Sequence, residues 1–319
     1  MSEEAECLIC CMEYSPDELP HQGCGHRYCA DCWGGYLNSK LETKDSARLL
    51  ISCPDTDCSH FIRKDFVLQY ATGTALENFQ ELVTAHEIPV KRSLLRTFLD
   101  SPYNKQERSS SCTDADYFHY ECLCEVDTGW GCSYRCVQIL LSVFFRNAPL
   151  DDPEIASVYE IQKKLAKLGN PSFKSEHVNT PTWIGPYEIQ EFVENYFTQM
   201  KANVSDVITV DDESRVGLIS QIHAHFQREN PLPLICANGK KTYAITGITS
   251  GDERILVMDP HYQENVSSAD FSSFFEGNYE QRSSEEDKRK HEMLENAIRW
   301  ETAENFFTSE PFWSVLFCI

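Results

Sequence analysis

Positive charge is scarce in this sequence. Its 319 residues hold 28 Lys and Arg against 50 Asp and Glu, a formal net charge of −22. So acidic a chain is repelled by phosphate backbones and anionic lipid headgroups, which excludes nucleic acid and membrane surfaces as first partners and favours a basic protein. Long apolar runs are missing too. The most apolar stretch, Cys136–Phe145, is about half of the ~20 residues a membrane span takes. The start, Met1-Ser-Glu-Glu-Ala-Glu6, has no basic region and no apolar run of the kind a secretory or mitochondrial leader carries. The expectation is an intracellular protein, cytoplasmic, with the nucleus as an alternative. There is no internal repeat.

What is abundant is cysteine. Fifteen cysteines without a leader point to metal binding and catalysis rather than disulfides. Eight of the fifteen precede residue 60, and none lies between 59 and 111. That gap predicts a metal-organised module over residues 1–92, a linker over 93–114 containing the Ser-rich stretch Ser101–Ser111, and a larger domain over 115–319. A 41% hydrophobic content suffices for a core in that larger domain.

Periodicity predicts helices over Ala75–Glu87, Leu94–Leu99, Cys132–Phe145, Glu154–Leu168, Pro186–Met200 and Ser214–Gln227. It predicts strands over Leu232–Ala237, Tyr243–Thr249, Arg254–Asp259 and Val315–Ile319. The charge-rich Gln281–Arg299 reads as an exposed helix, an insertion.

In the first module Cys7-x2-Cys10, Cys24-x-His26, Cys29-x2-Cys32 and Cys53-x4-Cys58 supply eight ligands in four close pairs. Thiolates and imidazole at these spacings fit two tetrahedral zinc sites. A module this small buries too little apolar surface to fold without metal. Cys11 is an alternative to Cys10.

The segments Cys7-Leu-Ile-Cys10, Cys24-Gly-His-Arg-Tyr-Cys-Ala-Asp-Cys-Trp33, Tyr36-Leu and Ile51-Ser-Cys-Pro-Asp-Thr-Asp-Cys58 resemble a RING finger, specifically the first RING of the RING-between-RING ubiquitin ligases. The resemblance extends to about residue 92. It implies cross-braced sites, Cys7, Cys10, Cys29 and Cys32 on one zinc and Cys24, His26, Cys53 and Cys58 on the other. It also implies a shallow apolar groove for a ubiquitin-conjugating enzyme around Ile9, Trp33 and Pro54, with module core as the alternative for these three. No second cysteine-rich module follows, and Ser59 stands where many RINGs carry an activating arginine.

The second constellation begins at Asp127-Thr-Gly-Trp-Gly-Cys132-Ser-Tyr-Arg135. Two glycines around a tryptophan form a tight turn, and the turn delivers Cys132 to the start of a helix. The positive end of the helix dipole favours a thiolate there. Cys136, one turn on, reads as core. Asp259-Pro-His261 ends an apolar strand, where residues two apart share a face, so a carboxylate can orient an imidazole as a base. Cysteine, histidine and aspartate together describe a thiol hydrolase.

The ordered motifs Tyr117-Phe-His-Tyr120, Gly129-Trp-Gly-Cys-Ser-Tyr-Arg135, Trp183-Ile-Gly-Pro-Tyr-Glu-Ile-Gln190, Tyr243-Ala-Ile-Thr-Gly247, Asp259-Pro-His-Tyr262 and Pro311-Phe-Trp313 resemble the ubiquitin-fold-modifier-specific cysteine proteases. The resemblance implies an α+β, papain-like domain with Cys132 as nucleophile, His261 as base, Asp259 as its orienting carboxylate and Tyr120 as an oxyanion donor. No catalytic cofactor is implied. Trp130 and Trp183 are candidates for lining a substrate channel, with core as the alternative for Trp183. Tyr243 stands where the family often has histidine. The function expected is a thiol isopeptidase cleaving after the modifier's C-terminal glycine, with the modifier or its conjugates as partners. A ubiquitin-cleaving enzyme and a RING-type ligase with a non-catalytic papain-like domain are the alternatives.

Overall fold

The computed structural model describes residues 5–22, 24–42, 51–58, 60–86, 95, 98–99, 110–120, 122, 125, 127–147, 155–196, 201–205, 208–209, 212–251, 253–261 and 295–318. The chain divides into two compact units. The first comprises Met1–Ile88, Glu121–Val126 and Ser175–Pro181, and the second Pro89–Tyr120, Asp127–Lys174 and Thr182–Ile319.

Among the described residues, the first unit is organised by loops and three α-helices. Strands β1 (Ala5–Glu6) and β2 (Glu13–Tyr14) form a short antiparallel hairpin. Helix α1 (Ala30–Lys40) has Cys29 at its N-cap position, and α2 (Lys64–Tyr70) and α3 (Gly73–His86) follow. Trp33 and Leu37 lie on the inward stripe of α1 and meet Phe66, Val67 and Phe79 in one core. Trp33 is fully buried, edge-on to Tyr28 at 5.0 Å and Phe66 at 4.8 Å, with its indole N–H donating to Pro20 O at 2.9 Å. An aromatic with its one donor satisfied is suited to such a centre. Asn38 ties α1 to the start of α3: its Oδ1 accepts from Thr72 N and its Nδ2 donates to Thr72 Oγ1, both at 2.9 Å.

The second unit is built on an eight-stranded antiparallel sheet. Its main path runs β4 (Ala202–Val204), β10 (Phe312–Cys318), β6 (Leu234–Ala237), β7 (Thr242–Thr249), β8 (Arg254–Met258) and β9 (Ile298–Thr302). Strands β3 (Ser110–Cys112) and β5 (Ile208–Thr209) add to β7 and β10. Every residue of β6 and β7 is buried, because helices cover both faces of the sheet. On one face α7 (Asp212–Phe226) and α8 (Ala303–Thr308) supply Leu218, Ile222, Phe306 and Phe307 to a cluster with Ile245, Ile255, Val257, Trp313 and Val315. Helix α4 (Cys132–Asn147) packs on β6 and β7, followed by α5 (Val158–Leu168) and α6 (Pro186–Tyr196). Among the described residues, no helix is long and apolar enough to cross a membrane.

Several expectations need correction. Ser110–Cys112, placed in the linker, is strand β3, since main-chain pairing needs no apolar side chains. Leu95 and Phe98 are helical, as expected for Leu94–Leu99, and buried, although the expected linker also covers that stretch. The end of the expected helix Gln281–Arg299 is the start of strand β9, where Ile298 and Trp300 alternate inward; residues 281–294 lie outside the described set. Helix α5 starts at Val158 rather than Glu154, because Ser157 and Glu160 form a reciprocal capping box. Trp33 belongs to the first unit's core, not to a surface groove.

Candidate active site

The tight turn before α4 is held from within. Gly129 has φ +83°, a left-handed conformation glycine adopts without cost. The N–H groups of Trp130 and Gly131 both donate to Asp127 O, at 3.1 and 2.7 Å. A Cβ on Gly131 would lie 2.1 Å from Asp127 Oδ2, so only glycine allows the Asp127 carboxylate its place. That carboxylate accepts from Arg135 Nε at 2.6 Å, and both side chains are wholly buried. The turn and the first helical turn are thereby tied to one another, and Cys132 is the first residue of α4.

The opposite wall is the end of β8. Asp259 N donates to Ala297 O at 2.8 Å, continuing the pairing of β8 with β9. Asp259 Oδ1 accepts twice from His261, from ring Nδ1 at 2.7 Å and from the main-chain N–H at 3.0 Å. A carboxylate only accepts, so Nδ1 carries a proton and Nε2 is left for the thiol. Nε2 is buried and forms no hydrogen bond with oxygen or nitrogen of the described residues. It interacts with Cys132.

The Tyr117–Tyr120 segment closes the site. Tyr117 donates its hydroxyl to Asp259 O at 2.6 Å, and Tyr120 N donates to Pro260 O at 3.0 Å. The Tyr120 ring stands edge-on to His261 at 5.5 Å, and its hydroxyl interacts with Cys132. Tyr243 of β7 lies 5.1 Å from the imidazole on another side, itself packed on Phe306 and Trp313.

These contacts set the charge states. Burial raises the Cys132 thiol, but hydrogen bonds from His261, Tyr120 and Thr242 and the charge of His261 outweigh burial and lower it below the ordinary range. Burial disfavours a charged His261, yet Asp259 and the Cys132 sulfur raise it to about 9. Asp259, penalised by burial, is nevertheless held low by His261 and Arg299. Both shifts favour the thiolate–imidazolium pair over the neutral pair. Cys136 is buried and pushed up by burial first, the signature of an inert thiol.

The structure thus brings Cys132, His261, Asp259 and Tyr120 together. Trp130 packs edge-on to Tyr134 at 5.6 Å, and Tyr134 donates its hydroxyl to Thr182 O at 2.7 Å. The adjacent Trp183 is 50% exposed, so it is not core. Sequence reasoning missed Arg299, Tyr117, Thr242 and the Asp127–Arg135 pair. Two of these carried a signal: Tyr117 opens the Tyr117–Tyr120 motif, and Asp127 and Arg135 are opposite charges at either end of the glycine turn.

In the first unit the eight expected ligands fall into two groups, Cys7, Cys10, Cys29 and Cys32, and Cys24, His26, Cys53 and Cys58. Within each group the ligand atoms lie within 4.8 Å of one another. Cys10, not Cys11, belongs to the first. Four sulfurs about 2.3 Å from a tetrahedral centre stand about 3.8 Å apart. Cys10 and Cys29 are 3.9 Å apart, as are Cys24 and Cys53, so the donors fit zinc. The Cys29 N–H donates to Cys7 Sγ at 3.2 Å. His26 places Nδ1 3.6 Å from Cys53 Sγ and Nε2 3.5 Å from Asp55, so a carboxylate stands behind the imidazole, as is common where imidazoles ligate metal. Gly25, at φ +84°, turns the chain between Cys24 and His26.

The chain is similar to known proteins in parts. It is 31% identical over 155 residues to a "Probable Ufm1-specific protease 2" of Drosophila pseudoobscura pseudoobscura, covering 46% of this chain and 24% of that protein. It is 29% identical over 170 residues to a "Ufm1-specific protease" of Caenorhabditis elegans, covering 52% and 26%. It is 25% identical over 128 residues to a "Probable E3 ubiquitin-protein ligase ARI9" of Arabidopsis thaliana, covering 40% and 23%. The chain therefore spans about a quarter of the length of these curated relatives. The solved "Crystal structure of UfSP from C.elegans" gives a TM-score of 0.47 at 20% identity, over 68% of this chain and 35% of that one. Residues 106–299, more than half of the sequence and the stretch that contributes Tyr120, Cys132, Asp259 and His261, match peptidase family C78, and the chain belongs to that family.

Proposed function

We propose that the chain is a cysteine protease that cleaves after the C-terminal glycine of the ubiquitin-fold modifier, from precursors or conjugates. The observation that carries this reading is the Cys132–His261–Asp259 geometry, a lowered thiol beside an imidazole raised to about 9 in a chain of family C78. The names of its relatives supply the substrate.

In this mechanism the Cys132 thiolate attacks the carbonyl carbon of the modifier's terminal glycine. The oxyanion accepts hydrogen bonds from the Tyr120 hydroxyl and the Cys132 main-chain N–H, which as the first of α4 has no acceptor within the helix. Collapse expels the amine, which takes its proton from the His261 imidazolium, and leaves a thioester on Cys132. Neutral His261 then removes a proton from water, whose oxygen attacks the thioester. The modifier leaves as a carboxylate, and the thiolate–imidazolium pair is restored. Asp259 keeps Nδ1 protonated and the ring in register throughout.

The first unit is read as a RING-type module held by two structural zinc ions on the eight ligands. Bound zinc supplies the unit with the folding constraint its small core lacks. Its role is partner binding, a conjugating enzyme included. The exposed Leu8, Ile9 and Met12 support an apolar contact surface, and buried Trp33 lies outside it. An intracellular, cytoplasmic location fits this reading.

The test is a modifier and a ubiquitin, each fused at its C-terminus to a reporter, offered to the wild-type chain and to Cys132→Ala. Release from the modifier fusion by wild type alone supports the proposal. Release from ubiquitin alone makes the chain a deubiquitinase. Release from neither, by a folded chain, refutes the protease reading.

A further inference from the structure

Asp259 has a second carboxylate oxygen, and a fixed cation occupies it. Arg299, on β9, donates from Nη1 to Asp259 Oδ2 at 3.1 Å and from Nε to Glu301 Oε2 at 3.2 Å. The register explains the reach. Val257 of β8 pairs with Arg299, and Asp259, two residues beyond Val257, projects to the same side of the sheet. Charge thus alternates along Glu301, Arg299, Asp259, His261 and Cys132.

Among the described residues, groups on several elements face Asp259. They are His261 on its own loop, Arg299 on β9 with Glu301 behind it, Cys136 on α4, Tyr243 on β7 and the Tyr117 hydroxyl on its main-chain oxygen. Of these, only Arg299 bears a fixed positive charge. Without it, Oδ2 would lose the cationic hydrogen-bond donor that Arg299 provides, and His261 would be left to offset the carboxylate's burial. The carboxylate would then gain by protonation, or by turning about χ2 and taking Oδ1 away from Nδ1.

We propose that Arg299, braced by Glu301, is a positioning residue of the active site, keeping the Asp259 carboxylate ionised and in the one rotamer that presents Oδ1 to His261. Its hydrogen bonds run to Asp259 and Glu301, and it acts on the reacting atoms through Asp259. This rests on the cysteine-protease reading of the same site.

The test uses the full chain as wild type, Arg299→Gln, Arg299→Lys, Asp259→Asn and the double variant Asp259→Asn/Arg299→Gln. The rate of Cys132 alkylation by iodoacetamide is followed against pH, by mass of the Cys132 peptide, beside kcat and KM on a fluorogenic C-terminal amide of the modifier. Arg299→Gln is expected to lose about tenfold in kcat with KM within about twofold. Its acid limb of alkylation moves to higher pH, because Asp259 takes up a proton sooner. Arg299→Lys, which keeps the charge, retains the wild-type limb. On the Asp259→Asn background, Arg299→Gln costs less than about twofold, as expected for two residues acting in series.

A wild-type kcat and limb in Arg299→Gln overturns the assignment, and so does an equal loss on both backgrounds. Should Arg299→Gln fail to fold, the same cycle is run with Glu301→Gln. A kcat loss that disappears in the Asp259→Asn background then supports the assignment, and an unchanged kcat overturns it. Alkylation needs no substrate. A wild-type chain that alkylates with a low acid limb but cleaves no modifier amide ends the modifier as substrate and leaves the Arg299 assignment standing.

Discussion

Arg135→Met tests how the nucleophile is held. Arg135 and Asp127 are both wholly buried, with Nε 2.6 Å from Oδ2. Arg135 Nη1 also donates to Gln138 Oε1 at 2.9 Å, and Gln138 Nε2 donates to Ala156 O at 2.9 Å. Methionine fills similar space but leaves the Asp127 carboxylate buried without its guanidinium, a loss of about 3–5 kcal/mol. For a domain of this size, each kcal/mol moves Tm by about 2–4 °C, so a fall of roughly 10 °C is expected. The neutral pair Asp127→Asn/Arg135→Gln should recover more than half of that, since no buried charge is left alone. Because the turn carries Cys132, alkylation of Cys132 below the melting transition should also slow in the single variant. The assay is thermal unfolding of the full chain alongside iodoacetamide labelling. A change under about 1 kcal/mol would refute the argument, showing the pair to be replaceable packing.

Tyr120→Phe should lower kcat by about 100-fold with little change in KM, since an oxyanion donor acts on charge present only in the transition state; an unchanged kcat with a lower Tm would make Tyr120 a packing residue. The activity of the wild-type chain should decline as pH rises through about 9, where the raised His261 loses its proton. The same linkage gives stability fully present below about 6.5, the unfolded value, and lost as pH rises through about 9. Asp259 contributes the opposite way, its stability present above about 3.9 and lost as pH falls through its lowered native value. In Asp259→Asn the alkaline limb should move to lower pH. Gly131→Ala should destabilise the turn, because the new methyl would meet Asp127 Oδ2 at 2.1 Å; a variant as stable and active as wild type would contradict that geometry. The chain purified without chelator should carry two zinc ions, and Cys24→Ala/His26→Ala should lose one and lower the melting temperature of the first unit. Zinc content measured by mass spectrometry checks this.

The parts of this protein that were legible from sequence are those where chemistry fixes spacing. Pairs such as Cys7-x2-Cys10 have the short spacing two sulfurs need to reach one ion, and Asp259 and His261 are close in sequence because the turn after β8 lets one carboxylate oxygen accept from both the His261 main chain and its ring, a turn in place of the expected strand. Helix α4 was legible because Cys132–Phe145 is apolar enough to be buried nearly all round. What escaped were pairings decided at long range. Arg299 sits 40 residues from Asp259 in a charge-rich segment, where one more arginine carries no signal. The short strands β3, β4 and β5 owe their existence to the main chains of β7 and β10, not to their own side chains. Trp33 looked like a surface aromatic beside the ligands, and its burial depends on Phe66 and Phe79 arriving from later helices. The charges of Gln281–Arg299 hid Ile298 and Trp300, whose alternation is that of a strand.

The central claim is that Cys132 is the nucleophile of a protease directed at the ubiquitin-fold modifier. The most direct measurement incubates the full chain with two electrophilic probes, the modifier and ubiquitin, each with a vinyl ester in place of its C-terminal carboxylate. The adduct is then located by peptide mass. The account predicts a covalent adduct on Cys132 with the modifier probe, lost in Cys132→Ala and in His261→Ala and far slower with the ubiquitin probe. An adduct on another cysteine, or no adduct from a chain whose thermal transition is intact, would contradict it.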